Sequence, residues 1–154
     1  MMGQFESKLA EMGVTLPEAA APAANYVPFV QVDDTLYVSG QLPKGETGLI
    51  TGTLGDDLDT AAGAEAARLC AIALLSQVKA ACGGDLDRLV RVVKLGGFVN
   101  STADFTEQPQ VINGASDFIG EALGEAGKHA RSAVSSPSLP FGIAVEIDGI
   151  FQIR

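Results

Sequence analysis

The chain has 154 residues, with 10 Lys and Arg against 19 Asp and Glu, and a formal net charge of −9. Hydrophobic residues make up 47% and charged residues 19%, which excludes a disordered chain, and the acidity argues against a nucleic-acid surface built on Lys and Arg. The length fits one domain, 1–154, able to bury roughly two-thirds of its unfolded surface.

In chain order, Phe5, Leu9 and Met12 recur at helical spacing over 3–12, with Gly13 as the stop. A Pro/Ala-rich lead-in runs to Ala24. Phe29–Val32 and Thr35–Ser39 read as a hairpin turning at Asp33-Asp34. Gly40 to Gly55 carries five glycines and reads as a long irregular loop with room for a short strand at Leu49–Thr51. Asp59 or Thr60 then caps a helix over Ala61–Cys82, its apolar stripe drawn through Leu69, Ile72, Leu75 (or Ala73) and Val78 and its end set by Gly83-Gly84. Leu89–Asn100 reads as a strand, with Gly96-Gly97 as a bulge or a point of close approach. Pro109–Leu123 is a second helix. His129–Ser135 and Phe141–Ile153 are strands on either side of a Ser136–Pro140 turn. This order predicts an α+β fold, a mixed sheet with both long helices on one face. The other face stays uncovered in a single copy, which favours self-association.

Cys70 and Cys82, placed on one helix, stand about 18 Å apart by its rise, too far for a disulfide, so both read as free thiols of a reducing compartment. Glu6, Lys8 and Glu11 break up any secretory apolar region, and no uncharged run reaches membrane-span length. The expectation is a cytoplasmic protein. With one histidine and no CxxC or HExxH pattern, no protein-built metal site is expected.

Chemistry points first to Arg131 and Glu146, whose midpoint falls inside the Ser136–Pro140 turn. A hairpin centred there would set them opposite each other or nearly so. Arg131, in an otherwise small and apolar run, offers a fork for a carboxylate, and Glu146 a group to orient water. The plain alternative is an exposed cross-strand ion pair. Gly40, in Ser39-Gly40-Gln41-Leu42-Pro43, allows a ligand close to the backbone or simply ends a strand. Asn113 reads as a pocket residue or a solvated helix polar, and His129 as solvent-facing or packing. Asp56-Asp57-Leu58-Asp59 reads as helix capping, with a divalent-ion site as the minor alternative. The serines around 135–138 form no nucleophile elbow.

Taken together, Ser39-Gly40-Gln41-Leu42-Pro43, Asp104-Phe105 before the Asn113-bearing helix, Ala130-Arg131-Ser132-Ala133-Val134, and Leu139-Pro140 with Val145-Glu146-Ile147 resemble the RidA/YjgF family. These are reactive imine/enamine deaminases, also called endoribonuclease L-PSP, and the extra N-terminal helix is similar to a longer subgroup. The resemblance implies a chorismate-mutase-like fold and a homotrimer with a barrel-like core and intersubunit pockets. It also implies a cofactor-independent hydrolysis of 2-imino or enamine acids to 2-ketoacids and ammonia. It sets the carboxylate-binding arginine on Arg131, the water-positioning glutamate on Glu146, and pocket positions on Gly40 and Asn113. The family's pocket tyrosine falls on Phe29 and its pocket cysteine on Ala133, so a hydroxyl and a thiol are missing. The partner implied is a small carboxylate-bearing molecule, with neither nucleic acid nor membrane. The alternatives are a non-catalytic carboxylate-binding or sensing trimer and, third, an endoribonuclease.

Overall fold

The computed structural model describes residues 2–22 and 24–154. Helix α1 spans Gln4–Glu11. Its free N-terminal amides find a distant acceptor, the Asp87 carboxylate, which takes hydrogen bonds from Gln4 N at 2.9 Å and Phe5 N at 3.2 Å. Gly3 makes room for it, since a Cβ there would stand 2.5 Å from Asp87 Cγ. Phe5 and Leu9 enter the core as the spacing predicts.

Strands β1 (Phe29–Val32) and β2 (Thr35–Gln41) form the expected hairpin, with Asp33 at φ 54° in its turn, a conformation Asp tolerates better than most residues. The glycine-rich loop is more ordered than its composition suggests. It holds a two-stranded ribbon, β3 (Lys44–Gly45) and β4 (Gly48–Leu49). Beyond it, Leu54 is fully buried and its backbone bonds to Asn100 and Thr102.

Helix α2 (Thr60–Ala81) is capped by Asp59, whose side chain accepts from Ala62 N at 2.8 Å. By length and composition it could cross a membrane, but most of it is buried, as a core helix of a soluble-type fold. Its buried stripe runs through Ala66, Ala67, Cys70, Leu74 and Val78, while Leu69 and Ile72 are only half-buried. Of the expected stripe, Leu75 and Val78 are fully buried, whereas Leu69 and Ile72 are not. The first half of the helix buries small residues, with Cys70 Sγ donating to the Val145 carbonyl of the sheet at 3.6 Å, and the second half buries Leu74, Leu75 and Val78. Cys70 and Cys82 are both free. Burial, then the charge of Glu146, pushes the Cys70 thiol well up.

Strand β5 (Leu89–Asn100) leads into α3 (Gln108–Leu123), which returns the chain to β6 (Ala130–Ser136). Strand β7 (Val145–Ile153) starts later than predicted. Pro140–Gly142 forms a tight turn in which Phe141 and Gly142 both take positive φ, which halts extended pairing. The sheet order is β1-β2-β7-β5-β6, with β5 and β6 parallel and the other pairs antiparallel. Alternation along β7 divides the sheet: Val145, Ile147, Phe151 and Ile153 are buried on the helix side. Glu146, Asp148, Ile150 and Gln152 face the opposite side. There Val30, Tyr37 and Val134 are each about half exposed, at 50%, 48% and 48%, so this face is an uncovered, mainly apolar trough.

Gly96 and Gly97 keep regular register with β7, whose irregularities lie nearer the start of β5. They are points of close approach. A Cβ on Gly97 would stand 2.7 Å from Ile112 Cδ1 of α3, and one on Gly96 would meet the Asp148 carboxylate.

Candidate active site in two halves

The expected hairpin between the last two strands does not form. Strand β5 lies between β6 and β7, so the chain crosses over β5 between Ser136 and Val145 instead of turning back along β6. Arg131 pairs with Leu95 and Glu146 with Phe98, both on β5. The two candidates are thus separated by about 10 Å across two strand gaps and about 10 Å along the strand. They also face opposite sides: Arg131 shares the helix side with Leu95, while Glu146 shares the open side with Phe98. Neither the expected opposition nor a plain ion pair exists within one chain.

The first half-site is built on β2 and β7. Strand register slips between Val38 and Gln41, and in this irregularity Gly40 lies against Glu146. A Cβ at Gly40 would be 2.9 Å from Glu146 Cδ, so the missing side chain is what lets the carboxylate lie on the β2 backbone. Burial, and then the neighbouring Asp148 charge, holds the Glu146 carboxyl above its ordinary range. Asp148 is likewise raised, mainly by burial, with Gly96 N–H and Lys94 opposing. A raised carboxyl favours the folded state when protonated. That contribution is present below the unfolded pKa and is lost as pH rises through the folded one. Glu146→Gln is therefore expected to unfold at a higher temperature than wild type at pH 7, with the difference closing as the pH is lowered below the ordinary carboxylate range. Equal melting at both pH values would contradict a desolvated Glu146.

The second half-site is built on β6 and α3. Arg131 Nη1 donates to Ser116 Oγ at 3.0 Å and Nη2 donates to the Pro109 carbonyl at 3.3 Å. Two of its five N–H groups are thus used, and three remain for a ligand. Pro109, Asn113 and Ser116 fall on one stripe of α3 by helical spacing, so the exposed Asn113 lies beside this fork. Ala133 follows Arg131 on the same side of β6 and is half-buried against the core. Ser135 has no base beside it to make it a nucleophile: its hydroxyl meets Ser101 Oγ at 2.7 Å and the Gln108 Nε2 amide at 2.8 Å.

Phe29 belongs with neither carboxylate nor guanidinium. It packs partly into the core from β1, the sheet edge opposite β6. His129 is neither free nor merely packed: Nε2 meets Ser116 Oγ at 2.9 Å, and Nδ1 meets the Gly127 carbonyl at 2.6 Å. Sequence reasoning missed Ser116 and this network, which depend on how α3 sits on β6. Asp148 was legible, since it alternates with Glu146 along one strand.

The family model described as "YjgF/chorismate mutase-like, putative endoribonuclease" matches residues 6–147. Protein TCP17 of Trypanosoma cruzi is 52% identical over 154 residues, covering 99% of this chain and 96% of that one. A crystal structure of a protein of unknown function from Agrobacterium tumefaciens is also 52% identical, with a TM-score of 0.91 over 97% of this chain and 92% of that one. One from Shewanella oneidensis, described as "a putative endoribonuclease", is 34% identical, with a TM-score of 0.93 over 98% of this chain and 100% of that one. The YjgF product of E. coli is 28% identical, with a TM-score of 0.62 over 89% of this chain and 94% of that one. With the sheet, the one-sided helices and the Arg131 and Glu146 motifs in place, the chain belongs to the YjgF/chorismate mutase-like family.

Proposed function

We propose that this protein is a cofactor-independent imine/enamine deaminase of a reducing, cytoplasmic compartment, acting in a pocket between subunits of a homotrimer. The observation that carries this reading is the division of the candidate residues. Gly40 and Glu146 lie on β2 and β7, whereas Arg131, Ala133 and Asn113 lie on β6 and α3, on the other side of the sheet. One chain cannot close a pocket around both, but two adjacent copies can, each lending one half. The exposed apolar trough supplies the reason to associate.

In such a pocket the three free N–H groups of Arg131 hold the substrate carboxylate. The imine carbon is already electrophilic, so one oriented water suffices. Water adds to that carbon while Glu146 takes its proton. Glu146 returns that proton to the nitrogen to give the aminol, and as its C–N bond breaks the hydroxyl proton passes to the nitrogen, so that ammonia leaves and a 2-ketoacid remains. The raised Glu146 carboxyl makes it a stronger base than an exposed glutamate.

The test couples the protein to an amino-acid oxidase that generates 2-imino acids and follows ketoacid release. Acceleration over buffer is expected; none across several imino acids overturns the enzyme reading. The second reading, a non-catalytic carboxylate-binding trimer, is favoured by Phe29 and Ala133, which lack a hydroxyl and a thiol. It predicts carboxylate binding without acceleration. An endoribonuclease is disfavoured by the net charge of −9, and purified protein is expected to leave single-stranded RNA intact.

For the assembly, Phe98→Lys places a charge in the trough. Its sedimentation is expected to shift from trimer to monomer at micromolar concentration with the fold retained. A wild-type monomer overturns the trimer.

A further inference from the structure

The deaminase reading uses Arg131 but not the two side chains behind it. The Gly127 carbonyl can only accept, so His129 Nδ1, 2.6 Å away, carries the ring proton. In the neutral ring Nε2 is then a bare acceptor, and the Ser116 hydroxyl donates to it across 2.9 Å. That commits the Ser116 oxygen to accepting, and its lone pairs face Arg131 Nη1 at 3.0 Å. Every link thus has one direction, from guanidinium to hydroxyl to imidazole to backbone. The Pro109 carbonyl fixes the second edge of the fork at 3.3 Å. Both anchors stand on α3, while His129 precedes β6, so the relay ties the helix to the strand that carries the arginine.

We propose that Ser116 and His129 are positioning residues. They form a one-way hydrogen-bond relay that orients the Arg131 fork for a ligand carboxylate, with His129 held as its Nδ1–H tautomer. The inference rests on the reading of Arg131 as a carboxylate anchor. A guanidinium on a flexible stem loses rotamer freedom when it binds, and a prepositioned one has less to lose.

The test uses pyruvate as the probe, with binding measured calorimetrically on the full chain. Ser116→Ala and His129→Ala are each expected to weaken binding about tenfold, the scale of one hydrogen bond to a charged group. His129→Gln is expected to recover most of the loss, because its Oε1 can accept from Ser116 where Nε2 did. Melting temperatures of the variants identify any that fail to fold. Wild-type affinity in both alanine variants overturns the relay, as does a loss that Gln leaves unrepaired in a folded protein.

A second readout does not depend on pyruvate. His129 is the only histidine, so the long-range ¹H–¹⁵N spectrum holds one imidazole pattern. At about pH 8, above the ordinary imidazole range, it is expected to report the Nδ1–H tautomer and to change in Ser116→Ala. An Nε2–H tautomer overturns the relay whatever the affinities. If wild type fails to bind pyruvate while the Nδ1–H pattern and its response to Ser116→Ala stand, the anchor reading falls and the relay survives only as a tether of α3 to β6, so the proposed positioning role is overturned with it.

Discussion

Arg131→Ala is expected to lower kcat/KM for 2-imino acids about a hundredfold, from the loss of roughly 1.5–3 kcal/mol of charge-assisted contact. The side chain is half-buried at the edge strand and makes its hydrogen bonds only to Ser116 and Pro109 among the described residues. Removing it leaves no core cavity, so the melting temperature is expected to stay close to wild type. Arg131→Lys is expected to recover little. An ammonium keeps the charge but not the planar fork, and it cannot hold Ser116, the Pro109 carbonyl and a carboxylate at once. Measuring ketoacid release over several substrate concentrations separates the two effects. A variant within threefold of wild type contradicts the assignment of Arg131.

Gly114→Ala is expected to destabilise the protein by about 2 kcal/mol and to lower its melting temperature by about 6 °C. The reason is geometric. Helices α2 and α3 cross with Gly114 against the backbone of Ala64, and a Cβ there would meet the Ala64 carbonyl and come within 2.8 Å of its Cα. Backbone atoms cannot swing aside as a side chain can, so one helix must move. Gly63 on the other helix is closed in by side chains instead, where a Cβ would stand 2.9 Å from Leu54 Cδ1 and 3.1 Å from Val111 Cγ2. Because Ser116 lies two residues beyond Gly114, displacement of α3 is also expected to loosen the Arg131 fork and weaken carboxylate binding. Thermal melts check the first effect and calorimetry the second. Unchanged stability contradicts the close helix crossing.

The two substitutions test different kinds of information. Arg131 stood out in the sequence as a lone cation among small apolar residues. Glu146 stood out as a carboxylate alternating with Val145 and Ile147, and Gly40 as a glycine at a strand end. Their contact, with Glu146 lying where a Gly40 side chain would be, needed the register slip in β2, which no pattern in 35–41 announces. Gly114 carried no signal at all, because a glycine inside a helix reads only as a poor helix former until its neighbour is known. On α2 the expected stripe was right at Leu75 and Val78 but missed Ala66, Ala67 and Cys70, buried residues too small to stand out in a hydrophobic pattern.

Local spacing and composition determined by themselves the helices, the strands and the α+β class, and singled out Arg131, Glu146 and Gly40 as candidates. Those features depend on neighbours within a few positions along the chain: capping side chains, glycine stops and period-2 or period-3.6 burial. Only the tertiary structure decided that β5 separates β6 from β7, which placed Arg131 and Glu146 on opposite faces instead of in one hairpin. The pairing of β7 with β5 is a long-range choice, which neither the turn before β7 nor the spacing around it records. Tertiary packing also set α3 on β6 and joined Arg131 to Ser116 and His129, three residues whose hydrogen bonds span 13 and 15 positions of sequence.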